Sequence, residues 1–337
     1  MKRKAVWLLK TFLAGCLAFL ILNLLSCVYR GGLPSIADET MSTPVRYVPN
    51  SFFSDMTEGI SIGFYDKNGY NNAYPPREVI DYLCLGSSHM EAKEVMPDQN
   101  LVYCLNDKLN SAGRTEYAYN IGISGESLPV CISRLGHAIH TYHPQKAVVI
   151  ETGILDYPQE EIDEALEAVE VGSLLYSYSG GIAGFVRKLP YVRLVYIQLK
   201  TMHDKKSAAA NNALQSNAAI DFDRDAYTKK IAPLIDKAVE NADGLPLIIL
   251  YHPSVTLYPD GSISTAGDPA VVQSFREICQ ATGIFFLDMS ERFLREYSEN
   301  HILPYGFANT SVGTGHLNRY GHAMIADELY KLLSEVA

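Results

Sequence analysis

The chain has 337 residues, 47% of them hydrophobic, which is enough to bury a substantial core and excludes a disordered protein. Acidic residues outnumber basic ones 38 to 28, for a net charge of −10. A balance of that sign offers no electrostatic footprint for nucleic acid, and that partner class is set aside.

Residues 1–30 differ from the rest. Lys2, Arg3 and Lys4 precede a run from Thr11 to Tyr29 without a charged side chain. Such a run is long enough to cross a hydrocarbon core of ~30 Å at ~1.5 Å per helical residue. Because the bases come first, the remainder is expected on the extracytoplasmic face of the cell membrane. The segment is read as a single-pass signal anchor; "LLSC" at 24–27 also resembles a bacterial lipobox, so a lipoprotein attached through Cys27 is the alternative. Either way the membrane is a partner.

Residues 31–76 are rich in Gly, Pro, Ser, Asn and Tyr and read as an extracytoplasmic stalk packed across the domain surface. The main domain, residues 77–337, opens with "VIDYLCL" at 79–85 and continues with "YAYNI" at 117–121, "KAVVIET" at 146–152, "LPLIILY" at 245–251 and "GIFFLDM" at 283–289. These runs are too short to span a membrane and too uniformly apolar for half-exposed strands, so they suit a parallel sheet covered on both faces. Helical patterns lie between them, such as "PVCISRLGHAIHTY" and "DPAVVQSFREICQAT", and the alternation predicts a three-layer α/β domain with about five parallel strands.

Residues 156–244 are too long for one connection and form an insertion. It holds an acidic helix ("QEEIDEALEAVE"), the segment "IAGFVRKLPYVRLVYIQLK" and a polar loop ("KKSAAANNALQSNAA"). The middle segment is either a helix pair packed on the domain or a lid or surface patch lying on the membrane. Cys84, Cys131 and Cys279 fall in strand or helix patterns and are expected as small buried hydrophobes; no Cys/His spacing suggests a metal.

In a parallel sheet, functional groups collect at the carboxyl ends of the strands. The first strand ends on Gly86-Ser87-Ser88-His89, the second on "NIGISGES", the third on "ETGILDY", and "GTGHLNRYGHAMIADEL" places His316 before the last helix. Each has a bland reading: the serines cap a helix, His316 is structural, and Gly125 is a turn glycine. Taken together and in order, the motifs resemble the SGNH/GDSL hydrolase superfamily, whose blocks read Gly-Asp-Ser, GxSGD, GxND and DxxH. "LGSS" is similar to the first block, "GISGE" to the second and "GHLN" with the following helix to the fourth.

The resemblance implies a flavodoxin-like (SGNH) fold with Ser88 as nucleophile, His316 as its base, and the backbone N–H groups of Ser88 and Gly125 as the oxyanion hole. It implies no metal and no organic cofactor. Two positions depart from the pattern: Leu155 stands where the third block has asparagine, and Gly313 where the fourth has aspartate. The orienting group for His316 is then expected to be the carbonyl of Gly313 or the carboxylate of Asp288. His89, Glu151, Asp156 and His252 are further pocket candidates, while Asn318 and His322 read as helix caps. The anchor, "LGSSH" and "GHLN" are also similar to exported SGNH-like proteins that accompany membrane-bound O-acyltransferases. That likeness implies an esterase or O-acyltransferase working on ester-linked acyl groups, acetyl groups above all, of an envelope polysaccharide. The other reading is a non-catalytic accessory protein that binds glycan or a membrane-bound O-acyltransferase.

Overall fold

Each of the five apolar runs carries a strand of one parallel sheet in the computed structural model, which describes residues 2–32, 36–37, 45–167, 189–196, 199 and 222–336. In chain order the strands are β1 (Arg30–Gly32), β2 (Ile36–Ala37), β3 (Val45–Arg46), β4 (Phe52–Asp55), β5 (Ser61–Phe64), β6 (Tyr82–Leu85), β7 (Ala118–Asn120), β8 (Ala147–Thr152), β9 (Leu247–Tyr251), β10 (Val255–Leu257), β11 (Ile263–Thr265) and β12 (Phe285–Asp288). The central sheet runs β12-β9-β8-β6-β7 with every pairing parallel. Renumbered within the sheet, that is the order 2-1-3-4-5, the flavodoxin-like winding.

Alternation along the strands sends Leu83, Leu85, Val148, Ile150 and Ile249 into one apolar layer and Tyr82, Cys84, Val149, Ile248 and Leu250 into the other. Helices Leu128–Ser133, Arg224–Asn241 and Pro269–Thr282 cover the first layer; helices Leu101–Ser111, Ser290–Asn300 and Arg319–Val336 cover the second. Cys84, Cys131 and Cys279 are buried as expected, and all six thiols are free.

The N-terminal run is one helix, α1 (Lys2–Tyr29), long and apolar enough to cross a membrane. It feeds directly into β1, which pairs antiparallel with β4, and β4 forms a hairpin with β5. This part of the segment read as a stalk is therefore folded, and its hairpin reaches the carboxyl end of the central sheet. The acidic stretch of the insertion forms a helix over Gln159–Glu167, whereas its remaining residues and the polar loop at 205–219 lie outside the described residues.

Candidate active site

The turn after β6 divides its two serines by role. Gly86 is required by a close approach, since a Cβ there would sit 2.4 Å from a Glu151 carboxylate oxygen. Ser87 caps the short helix α2 (Ser88–Glu91), its Oγ accepting from the N–H of His89 at 3.3 Å. Its own N–H and hydroxyl donate to Glu151 Oε2 at 2.7 and 3.0 Å. Ser88 makes none of these bonds; its Oγ lies 2.9 Å from Nε2 of His316.

The other side of His316 is held by a residue that the sequence motifs do not reveal. Nδ1 lies 2.7 Å from Oε2 of Glu58, and the backbone N–H of His316 donates to Oε1 of the same carboxylate at 2.6 Å. A carboxylate accepts from Nδ1–H, which leaves Nε2 free to accept the Ser88 proton. The orienting group is thus Glu58, not the Gly313 carbonyl or Asp288. Gly313 instead sits in a turn at φ +83°, its N–H bonded to the Tyr305 carbonyl at 3.1 Å. Asp288 is spent on Arg276 at 2.7 Å and on the N–H and hydroxyl of Ser290 at 2.9 and 2.6 Å.

Glu58 stands at the tip of the β4–β5 hairpin. Asn309, on the loop before His316, clamps that tip by accepting from the N–H of Gly59 at 2.9 Å and donating to its carbonyl at 2.8 Å. Gly315 makes room for the carboxylate: a Cβ there would lie 1.9 Å from Glu58 Oε1. A second acid, Glu94, places Oε1 3.8 Å from Nε2 of His316. Burial, reinforced by Glu91 and Asp55, pushes its carboxyl up to about 7 against the pull of His316 and Lys93. For His316 itself, burial favours the neutral ring, but Glu94, Glu58 and Asp55 together hold the imidazole above its ordinary value.

The second block packs against this turn. The N–H of Ile123 donates to the Gly86 carbonyl at 3.0 Å, and Ser124 donates its N–H to Glu91 Oε2 at 2.7 Å and its hydroxyl to the same oxygen. Tyr47 and Tyr65, stacked at 4.2 Å and both from the N-terminal segment, close over Glu91 with hydroxyls 3.2 and 3.3 Å from its oxygens. Gly125 follows at φ +91°, a conformation that favours glycine. Among the described residues the N–H groups of Ser88 and Gly125 have no hydrogen-bond partner, so both are available to an oxyanion. Leu155 adds no donor; its side chain is buried in the core and its carbonyl accepts from Tyr227 at 2.6 Å.

Two of the pocket candidates lie beneath the site rather than lining it. Glu151 is buried, with His252 Nε2 at 2.5 Å beside its bonds to Ser87, and the Tyr305 hydroxyl lies 2.7 Å from His252 Nδ1. Burial pushes the Glu151 carboxyl up, yet His252, His89 and the Ser87 N–H more than offset this and hold it at about 2. No oxygen is left for a sugar hydroxyl. Asp156 points outward and pairs with Lys230. His89 does border the site, its ring centroid 5.0 Å from that of His316 and 4.7 Å from that of His252. Burial and His252 hold it well below its ordinary value, and Nδ1 accepts from the Leu317 N–H at 3.2 Å, so the neutral ring carries its proton on Nε2. Asn318 caps the last helix, accepting from Tyr320 and Gly321 at 2.9 and 3.1 Å; His322 is no cap but is buried within that helix.

No protein-family model and no curated protein matches the chain. Among solved structures, an acetyl xylan esterase is similar at 13% identity and a TM-score of 0.42, covering 75% of this chain and 99% of its own. A lipolytic protein of the G-D-S-L family from Veillonella parvula is similar at 13% identity and 0.40, covering 76% and 99%. The psychrotrophic esterase EstA from Pseudoalteromonas sp. is similar at 17% identity and 0.39, covering 76% and 97%.

Proposed function

We propose that this chain is a membrane-anchored, extracytoplasmic SGNH-type serine enzyme that hydrolyses or transfers ester-linked acyl groups. The observation that carries the reading is the unbroken line Ser88 Oγ, His316 Nε2, His316 Nδ1, Glu58, with contacts of 2.9 and 2.7 Å. A serine hydroxyl becomes a useful nucleophile when a neighbouring base takes its proton, and that base works when a third group fixes its tautomer.

In the proposed reaction Ser88 Oγ bonds to the ester carbonyl carbon as its proton passes to His316 Nε2. Glu58 stabilises the imidazolium, and the Ser88 and Gly125 N–H groups receive the oxyanion. Collapse breaks the ester C–O bond and the departing alcohol takes the proton from His316, leaving an acyl-Ser88. Water or a sugar hydroxyl then attacks the acyl carbon with its proton going to His316; collapse breaks the bond from that carbon to Ser88 Oγ, which takes the proton back from His316 as the acid or the new ester departs. α1 and the resemblance noted above favour an acetylated envelope polysaccharide as substrate, with a membrane-bound O-acyltransferase as the partner supplying or sharing acyl groups.

The test is acetyl release from a chromogenic ester by the full chain in detergent, against Ser88→Ala. Loss of a triad serine is expected to lower kcat by ~10⁴-fold or more. Equal rates in both proteins would retire the hydrolase reading. They would leave the accessory role, which the apolar Leu155 in place of an amide donor favours.

A further inference from the structure

The end of α1 is built into the part of the fold that carries Glu58. The Tyr29 carbonyl accepts from the Met56 N–H at 2.8 Å, and the Cys27 carbonyl accepts from the Ser54 hydroxyl at 2.6 Å. Arg30, Gly31 and Gly32 pair with Asp55, Ser54 and Phe53. From Met56 to Glu58 is two residues, at most about 7 Å of chain. Ser88 therefore stands one imidazole beyond a carboxylate that is itself tied to the last turn of the apolar helix.

The β1-β4-β5 sheet has two unlike faces. Ser61 and Gly63 face the body: the Ser61 hydroxyl donates to the Lys93 carbonyl, and a Cβ on Gly63 would lie 2.6 Å from Pro97. Ile60, Ile62 and Phe64 point the other way and are 64%, 42% and 63% exposed. Phe52, across from Phe64, extends the apolar surface with its ring 5.7 Å away. Ser54, across from Ile62, lies on this same face, and its hydroxyl is the group that bonds the end of α1. The apolar face and the helix are thus continuous. The helical segment 190–196 borders them, with Tyr191 edge-on to Phe19 at 6.3 Å and Arg193 donating to the Gly32 carbonyl at 2.7 Å, and it leaves Val195 and Tyr196 exposed.

Exposed aliphatic and aromatic side chains in a row along an edge strand are a liability in water and mark an interaction surface. The uncharged run of α1 ends at Tyr29, one residue before the sheet begins, so lipid around a membrane-spanning α1 would reach this face directly. We propose that the outer face of the β1-β4-β5 sheet, through Ile60, Ile62 and Phe64, lies on the lipid surface from which α1 emerges. The catalytic residues are then held at that surface, and the ester they attack is one presented there. The contact rests on α1 remaining in the membrane and not on the serine chemistry.

The full chain carrying Trp7→Phe, which removes its one tryptophan, provides a dark background for a Phe64→Trp reporter in bilayers of phosphatidylcholine and phosphatidylglycerol. Lipids brominated near the headgroup end of the acyl chains are expected to quench the reporter about twofold or more. They should leave Val239→Trp, an exposed position on helix Arg224–Asn241, nearly unchanged. Ile62→Trp is the second reporter if Phe64→Trp does not fold. Quenching at positions 62 and 64 no greater than at 239 overturns the proposal. Because the same reading is made in a Ser88→Ala background, loss of the catalytic reading leaves it standing.

Discussion

Two histidine–carboxylate pairs stand behind two adjacent serines, and they are built differently. Ser87 leads to Glu151 and His252, whose side chains are each 1% exposed; Ser88 leads to His316 and Glu58, at 30% and 21%. In the buried set the carboxylate sits between serine and imidazole, so it accepts from both and no imidazole touches the hydroxyl. In the half-exposed set the imidazole sits in the middle, and Nε2 reaches the hydroxyl directly. The same residue types thus give a scaffold in one order and, in the proposed reaction, a base for the serine proton in the other.

That contrast breaks most sharply at Glu58. Glu58→Gln should leave the fold intact and lower kcat for a chromogenic ester by ~10⁴-fold, as loss of an orienting carboxylate does in a well-studied triad. Thermal unfolding should shift little, since the pair is partly solvated. Glu151→Gln should do the reverse in kind: breaking a buried pair costs about 3–5 kcal/mol, read as a lower denaturant midpoint. The linkage sign sharpens this. A carboxyl held at about 2 contributes stability above its unfolded value near 4.5 and loses it as pH falls towards 2, so wild-type stability should decline through that window and Glu151→Gln should flatten the decline. A smaller change follows from Gly315→Ala, whose methyl displaces the Glu58 carboxylate; misplacement by about 1 Å is expected to cost ~10²-fold in kcat with little change in KM.

The sheet was readable from the chain because short apolar runs and their turn residues are local signals; the buried set was not, since Glu151 and His252 were expected to line a pocket and instead bond Ser87 and each other beneath it. All five strands fall inside the stretches expected for them, and Ser88, His316 and Gly125 lie on the expected turns. Glu58 was not readable. It lies 258 positions from His316, in a segment without sustained periodicity, and its only local mark is the Glu-Gly tip between two four-residue strands. Gly313 and Asp288 were plausible substitutes by position, but a carbonyl and a carboxylate are chosen by three-dimensional approach, which spacing does not encode. The glycine that departs from the DxxH pattern and the one at 315 belong to a loop that yields its space to a carboxylate from elsewhere. Glu151 and Asp156 were alike as acids at a strand end; burial alone separates them.

Glu94 gives the finest division between the two sets, because among the described residues His252 pairs with no second carboxylate beyond Glu151. Its negative charge raises His316, as do the hydrogen bond and the charge of Glu58, and burial pushes its own carboxyl up to about 7. Only neutral His316 can take the Ser88 proton, so activity should rise with pH through a value above the ordinary ~6.5 of histidine. Removing the charge by Glu94→Gln should lower the affinity of His316 for its proton and move the acid limb of kcat/KM to lower pH. The high-pH plateau should change by less than about tenfold, since Glu58 still fixes the tautomer. An acid limb that stays in place in Glu94→Gln would mean that Glu94 does not sense the imidazole, and the 3.8 Å contact would then be packing rather than electrostatics.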